Sequence, residues 1–230
     1  MTTITHSELF ILTLNLTVYA AAIMIIRYTR IKYVNALLLS IPIVAVALHY
    51  LEIDQETYQQ GSRLLRFLLG PSVVALGYLI HMNIKQIGRN LLPLVLCITI
   101  GAVINSLAIN LTMRLFDTPQ EIITSLHPRS VTTPIAIELS SQLGGIESLT
   151  ILAVVISGIF GSILGIPLLD RLGVRSRLAR GAALGAASHA IGTARAIELG
   201  PYEGAISGLA IGLMGAITTI LLPLIYTWLL

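Results

Sequence analysis

Residues 126–145 have the sequence Leu-His-Pro-Arg-Ser-Val-Thr-Thr-Pro-Ile-Ala-Ile-Glu-Leu-Ser-Ser-Gln-Leu-Gly-Gly, with Thr132-Thr133-Pro134 near the middle. Proline removes a backbone donor and clashes with the preceding helical turn. We therefore expect a helix in this segment to break and restart, with an arginine before the break and a glutamate after it.

The same pattern returns later in the chain, as Gly192-Thr-Ala-Arg-Ala-Ile-Glu-Leu199. Several residues recur at one constant distance farther along the sequence. They are Thr133, Ala136, Ile137, Glu138, Leu139, Gly144, Ile146, Leu149 and Ile151. Their counterparts are Thr193, Ala196, Ile197, Glu198, Leu199, Gly204, Ile206, Leu209 and Ile211. Such self-similarity indicates a duplicated unit. In membrane proteins, a pair of interrupted segments is a sequence indicator of a binding site.

The composition predicts a membrane protein. The 230 residues are 55% hydrophobic and only 11% charged, whereas soluble domains are about 25% charged. Most of the charge-free stretches are long enough for a helix to cross about 30 Å of hydrocarbon. These stretches are Leu9–Ile26, Tyr33–Tyr50, Phe67–Met82, Leu91–Met113, Ser148–Leu169 and Ala205–Leu230. The first lacks the basic flank and cleavage site of a secretory signal, so we interpret it as a permanent span.

Several classes of function are not supported. The net charge is +3, and the basic residues lie in short loops, which argues against nucleic-acid binding. The single cysteine, Cys97, lies in an apolar span and allows no disulfide or cysteine metal site within one chain. The sequence contains no phosphate loop, nucleophile elbow or metal-ligand cluster, so we expect no metal or other cofactor and no enzymatic activity.

The charged loops predict the orientation through the excess of Lys and Arg in cytoplasmic loops. Residues 27–32 and 83–90 carry basic residues without acids and are assigned inside, whereas 51–63 is assigned outside. The loop Asp170–Arg180 contains four arginines against one aspartate. It lies inside only if Leu126–Gly145 enters the membrane and returns, which is the interpretation we favour. Full crossing by both broken segments is the alternative, and both versions place the N- and C-termini outside.

The predicted fold class is an all-α polytopic membrane protein with six full spans and two broken, re-entrant helical segments that form an inverted repeat. The whole chain, 1–230, is one transmembrane domain in this prediction. It comprises a four-span N-terminal part, 9–113, and repeated units at 126–169 and 186–229. Gly158, Gly161 and Gly165 would let helices approach closely, either as ordinary packing or as a surface along which a moving segment slides.

The broken segments predict a site for a small organic anion. A helix that restarts presents free N–H groups and a positive dipole end, while a guanidinium matches a carboxylate bidentately. The predicted substrate-binding residues are Arg129, Thr132, Thr133, His189, Gly192, Thr193 and Arg195. Glu138 and Glu198 are the candidates for proton coupling. Structural ion pairs, and hydrogen-bonded packing for His189, are the alternatives.

Two motifs resemble the LrgB/CidB family of bacterial membrane proteins, and the likeness covers almost the whole chain. The motifs are Ser125-Leu-His-Pro-Arg-Ser-Val-Thr-Thr-Pro-Ile-Ala136 and Ala187-Ser-His-Ala-Ile-Gly-Thr-Ala-Arg195, followed by Glu203-Gly-Ala205. The family commonly has lysine where this chain has Arg129. The resemblance implies an inner-membrane, antiholin-like or holin-like modulator of murein hydrolase activity and autolysis, with a small LrgA/CidA-type membrane partner.

Plant relatives implied by the same resemblance are glycolate/glycerate translocators, and bacterial members are linked to pyruvate movement. Two functions therefore stay open: a transporter of small monocarboxylates in the lipid bilayer, with proton coupling as one option, or a regulator acting through a partner. A buried, duplicated polar site favours the transporter. The sequence leaves open whether the chain forms a homo-oligomer.

Overall fold

The regular structure is helical wherever the computed structural model describes the chain, namely residues 7–29, 36–68, 71, 74–75, 78, 81–82 and 84–229. The α-helices are α1 (Glu8–Thr29), α2 (Ala36–Tyr50), α3 (Gln55–Gly61), α4 (Arg63–Phe67), α5 (Ile84–Gly88), α6 (Leu91–Leu115), α7 (Gln120–Leu126), α8 (Thr133–Gln142), α9 (Glu147–Arg171), α10 (Arg177–Leu199) and α11 (Pro201–Leu229). A 3₁₀ turn, His127–Ser130, joins α7 to the residues before α8.

Four of these helices agree with the prediction of a membrane protein. α1, α6, α9 and α11 each contain a stretch long and apolar enough to cross a membrane, and many of their large apolar side chains are exposed. Lipid can solvate such side chains, and a helix satisfies its own backbone hydrogen bonds there. α2 is shorter, with 15 residues. Half of the residues in the predicted span 67–82 lie outside the described part of the chain.

The chain divides into two compact units, Met1–Ala75 and Leu76–Leu230. In the first unit, Tyr58 Oη donates a hydrogen bond to Asn15 Oδ1 over 3.0 Å, which ties α3 to α1. Gly61 packs so closely on α1 that an added Cβ would lie 2.8 Å from Ile11 Cβ. The second unit contains both broken segments.

The core of the second unit joins its long helices to the first break. Its buried residues come from α6, α8, α9 and α11 and from the residue after the 3₁₀ turn: Leu94, Ile98, Ala102, Val131, Ala136, Val154, Ala210 and Met214. The break is therefore part of the packed interior and is held by apolar contacts on several sides.

Candidate functional site

The first break is set by local sequence. Pro128 lies at the start of the 3₁₀ turn and Pro134 in the first turn of α8, positions that tolerate the missing donor. Between them, Val131 and Thr132 are extended, with ψ values of 177° and 147°. The helix breaks as the sequence predicted, and α8 restarts at Thr133.

The two arms of this segment, α7 and α8, end beside the same part of α9. The Ile146 N–H donates to Ser125 Oγ at the end of α7 over 2.7 Å. Beside it, Thr150 Oγ1 donates to Ser140 Oγ on α8, also over 2.7 Å. Because residues before and after the break meet at the start of α9, the chain doubles back between α7 and α8.

The turn of this first hairpin lies farther along α9. Ser157 Oγ donates to the Arg129 carbonyl oxygen over 2.7 Å. Ser157 is ten residues into α9, or about 15 Å at the rise of an α-helix. From α6, Asn105 Oδ1 accepts a hydrogen bond of 2.6 Å from Arg129 Nη2. Arg129 is therefore held between the middles of α6 and α9.

α10 contains the second break, at Ser188 and His189. Their φ/ψ values are −134°/16° and 40°/−133°, so His189 has a backbone conformation rare for residues other than glycine. The sequence pattern placed this break at Gly192-Thr193, and that placement is wrong by one helical turn. Both of those residues are buried and helical, and an added Cβ at Gly192 would lie 2.6 Å from Ser188 Cβ.

The two arms of α10 also end beside one another, at the start of α11. Arg177, in the first turn of α10, binds the Glu203 carboxylate through Nε (2.7 Å) and Nη2 (2.8 Å). A Cβ on Gly200, which ends α10, would lie 3.1 Å from that same Nη2. Farther along α11, Thr193 Oγ1 and Ser207 Oγ are 2.7 Å apart. The second segment therefore doubles back as the first does.

The two hairpin turns meet on one stretch of α9. His189 Nε2 lies 2.9 Å from the Val154 carbonyl oxygen, so Nε2 carries the proton that is donated. Ser157, which binds the Arg129 carbonyl, also lies 3.0 Å from the Val154 oxygen. The contacts to Arg129 and His189 are thus less than one helical turn apart on α9.

Small residues of α9 make room for the second turn. A Cβ added to Gly158 would lie 2.6 Å from His189 Cε1, and one added to Gly161 would overlap the Ser188 side chain. At Gly165 it would lie 2.8 Å from Leu184 Cδ2. These three glycines therefore let the first arm of α10 reach the backbone of α9.

Polar side chains from other helices complete the first turn. His127 Nδ1 donates to the Ile123 carbonyl oxygen over 2.9 Å, and His127 Nε2 accepts from Asn110 Nδ2 over 3.1 Å. The Tyr226 ring packs edge-on against His127, with ring centroids 5.5 Å apart. Both imidazole nitrogens have partners, so this histidine positions the turn between α6 and α11.

The structure brings only some of the predicted site residues together. Arg129 and His189 contact residues three positions apart on α9, and Thr193 contacts Ser207 on α11. Thr132 and Thr133 are half-buried at the start of α8, and Gly192 is buried in α10. In contrast, Arg195 pairs with Glu198 one turn away. Glu138 is exposed and accepts from Gln142 over 2.7 Å.

Sequence reasoning missed Ser157 and Ser207, whose hydroxyls bind the two hairpins. Asn105 and Asn110, which lie inside the charge-free stretch Leu91–Met113, both contact the first turn. Each of these residues is polar and lies inside a charge-free stretch, where a polar side chain is costly unless it has a hydrogen-bond partner. That cost is the sequence feature that could have indicated their contacts.

In the second unit, buried polar atoms without a partner in the described residues cluster at the two turns. They are Arg129 Nε and the hydroxyls of Ser188, Ser106 and Thr218, whereas Ser62 Oγ is a further such atom in the first unit. Ser106 and Thr218 line a small cavity with His127 and Ser130. Buried polar groups are normally hydrogen-bonded, so this interior has unused capacity to bind a water molecule or a small polar ligand.

The ion pair between Arg177 and Glu203 gives a testable prediction about the second hairpin. The Glu203 side chain is only 7% exposed, whereas that of Arg177 is 60% exposed. Arg177→Gln should lower the melting temperature in detergent more than Arg177→Gln/Glu203→Gln does, because the single change leaves a buried carboxylate without its counter-ion. Arg171→Gln is the control on an exposed arginine. Equal melting temperatures for the single and double variants would contradict this role.

The fold and the two broken segments define an all-α membrane protein whose polar groups are gathered where helices are interrupted. Comparison with known proteins gives the family: the model of the LrgB-like family matches residues 15–228. The chain belongs to this family.

Named relatives cover most of the chain. The holin-like protein CidB of Staphylococcus epidermidis is 36% identical over 83% of this chain and 82% of its own length. The holin-like protein CidB of Staphylococcus aureus is 34% identical over 84% and 86%. An uncharacterized protein of Bacillus subtilis, YxaC, is 30% identical over 96% of both. No solved structure matches the chain.

Proposed function

We propose that this chain is a holin-like protein of the bacterial inner membrane, which modulates murein hydrolase activity and autolysis together with a small LrgA/CidA-type membrane partner. The observation that carries this proposal is the similarity to holin-like CidB, which extends over more than four-fifths of each chain. Four apolar helices support a location in the membrane.

The proposed architecture has six spans, with the C-terminal half as an inverted repeat of two re-entrant hairpins. Its support is the correspondence between the repeats: Arg129 and His189, which occupy the two turns, are equivalent positions at the repeat spacing. Likewise, Ser125 contacts Ile146 in the first repeat, and the equivalent Gly185 packs on Ser207 in the second repeat. A single crossing by α9 would make the two hairpins enter from opposite faces.

In this topology the arginine-rich loop Asp170–Arg180 is cytoplasmic and both termini lie outside. The basic residues near the start of α6 lie on the same side as that loop, which agrees with the distribution of Lys and Arg in inner-membrane proteins.

Movement of small monocarboxylates such as pyruvate or glycolate is the second candidate function, and one observation favours it. Arg129 Nε is fully buried and has no partner within the described residues, while Nη2 binds a neutral asparagine. A guanidinium with a free donor is suited to a carboxylate. The proposed binding residues remain Arg129, Thr132, Thr133, His189, Gly192, Thr193 and Arg195.

Two assays on the same protein separate these functions. The first follows the autolysis rate of bacterial cells that produce the chain with and without a small LrgA/CidA-type protein. The second measures uptake of labelled pyruvate, glycolate and lactate into proteoliposomes. A partner-dependent change in autolysis without uptake supports the holin-like function alone. Uptake without any effect on autolysis would overturn it in favour of transport.

If transport occurs and is coupled to protons, uptake should rise with an inward proton gradient and fall with an uncoupler. Glu138→Gln and Glu198→Gln should then reduce this dependence, since each removes a carboxyl that can carry a proton. Glu147→Gln, at the exposed start of α9, is the matched control. If uptake depends neither on the proton gradient nor on these two substitutions, proton coupling through Glu138 and Glu198 is contradicted. Their role is then limited to the pairs with Gln142 and Arg195 within their own helices.

A further inference from the structure

A groove runs between α6 and the first arm of α10 within the second unit. It encloses about 430 Å³ and has almost entirely apolar walls, formed by Pro93, Cys97 and Gly101 on α6 and by alanines of α10 such as Ala179 and Ala183. At its inner end lie Asn105 and Ser130, beside the first hairpin turn. From Pro93 to Asn105 the groove is about 18 Å long at the helical rise per residue.

The outer end of the groove is positively charged. Arg89 lies in the turn just before α6, four residues before Pro93, and Arg175 lies three residues before Leu178, which also lines the groove. Packing of Ile87 with Leu178 and Tyr202 brings α5 to the start of α10, so cations from two parts of the chain converge here.

Two other arginines at this end already have acidic partners: Arg177 binds Glu203 and Arg180 binds Asp170. Arg89 and Arg175 are exposed, and neither forms an ion pair within the residues that the structure describes. These two cations are therefore available to an external anion.

We propose that the groove binds one acyl chain of an anionic phospholipid, with the headgroup phosphate at Arg89 and Arg175. An apolar slot with a basic rim matches the two parts of such a lipid, and basic pockets between membrane helices are suited to anionic headgroups. Its length is close to that of one leaflet, which is about half of a 30 Å hydrocarbon core.

A partner helix fits the groove less well than an acyl chain does. A helix about 10 Å wide that crosses 30 Å of hydrocarbon occupies on the order of 2,000 Å³, several times the volume of the groove. The inner end of a bound acyl chain would contact Asn105 and Ser130. Lipid occupancy would thereby fill the groove beside Asn105, the hydrogen-bond partner of Arg129.

The single cysteine provides a direct probe, because Cys97 is exposed in the wall of the groove. The purified full chain in an uncharged detergent is titrated with cardiolipin or with phosphatidylcholine, and the rate of Cys97 alkylation by a maleimide is followed. Cardiolipin should slow alkylation at much lower concentration than phosphatidylcholine. Removing both cations in Arg89→Gln/Arg175→Gln should weaken the cardiolipin effect about thirtyfold.

Gly101→Leu tests the groove itself, since Gly101 lines it and a Cβ added there would meet no atom within 4 Å. It should fill the groove without unfolding the protein and abolish cardiolipin protection. Arg114→Gln, at the other end of α6, should change nothing. Equal protection by both lipids would overturn the role of the two arginines. Protection that survives Gly101→Leu, no protection at all, or protection only when a second protein is added would overturn the lipid site.

Discussion

Gly161→Ala is expected to destabilise the protein by about 1–3 kcal/mol, the usual cost of forcing extra volume into a packed interior. The added methyl would overlap the side chain of Ser188, which is fully buried. Because Ser188 lies at the second break, α10 would have to move away from α9. Thermal unfolding in detergent measures the effect.

Two further variants make this test specific. Gly212→Ala is the same change in a membrane helix where the methyl meets no atom within 4 Å, so it should not destabilise the protein, and the higher helix propensity of alanine favours a small gain. Ser188→Gly should restore part of the stability of Gly161→Ala, since it removes the atoms that the methyl meets. If Gly161→Ala behaves like Gly212→Ala, or is not rescued, the close approach of α10 to α9 is contradicted.

Arg129→Gln is expected to weaken binding of small monocarboxylates ten- to hundredfold, if the chain binds them. A hydrogen bond to a charged group contributes about 1.5–3 kcal/mol, and the variant removes both the charge and the unused donor. Arg129→Lys should lose less, because lysine keeps the charge. Ligand-induced thermal shift with pyruvate, glycolate and lactate is the measurement.

Arg114→Gln, near the end of α6, is the control for loss of positive charge. If Arg129 has a structural role only, Arg129→Gln is instead expected to lower the melting temperature, because Asn105 loses its hydrogen-bond donor. If no monocarboxylate shifts the unchanged protein, the anion site is wrong and the holin-like function remains without a substrate.

The long helices could be predicted from the sequence because a charge-free run of sufficient length has few other stable environments. Leu91–Met113 and Ser148–Leu169 lie within α6 and α9, with boundaries differing by about two residues. The first break could be predicted for a similar reason, since Pro128 and Pro134 interrupt a helix through their own missing backbone N–H groups and the steric clash of their rings. These predictions rest on local physical chemistry.

The second break could not be placed correctly because its cause is not local. No proline lies between Arg177 and Leu199, and the unusual backbone at His189 is held by the hydrogen bond to Val154 on another helix. The pairing of Arg195 with Glu198, by contrast, follows from helical spacing and was open to prediction. The roles of Ser157 and Ser207 depend on which helices pack together, which composition does not specify.

In the proposed topology, both broken segments are re-entrant and enter from opposite faces of the membrane. It is tested most directly by single cysteines in a Cys97→Ser background, at Phe116 and Glu147 flanking the first hairpin and at Ser176 and Pro201 flanking the second. All four residues are exposed. Intact cells are treated with a membrane-impermeant thiol reagent, before and after lysis.

Cysteines at 116 and 147 are expected to react in intact cells, whereas those at 176 and 201 are expected to react only after lysis. Each pair must behave alike, because each hairpin begins and ends on one side. Labelling that differs between 116 and 147, or between 176 and 201, would mean that the segment crosses the membrane fully and would contradict the inverted hairpins.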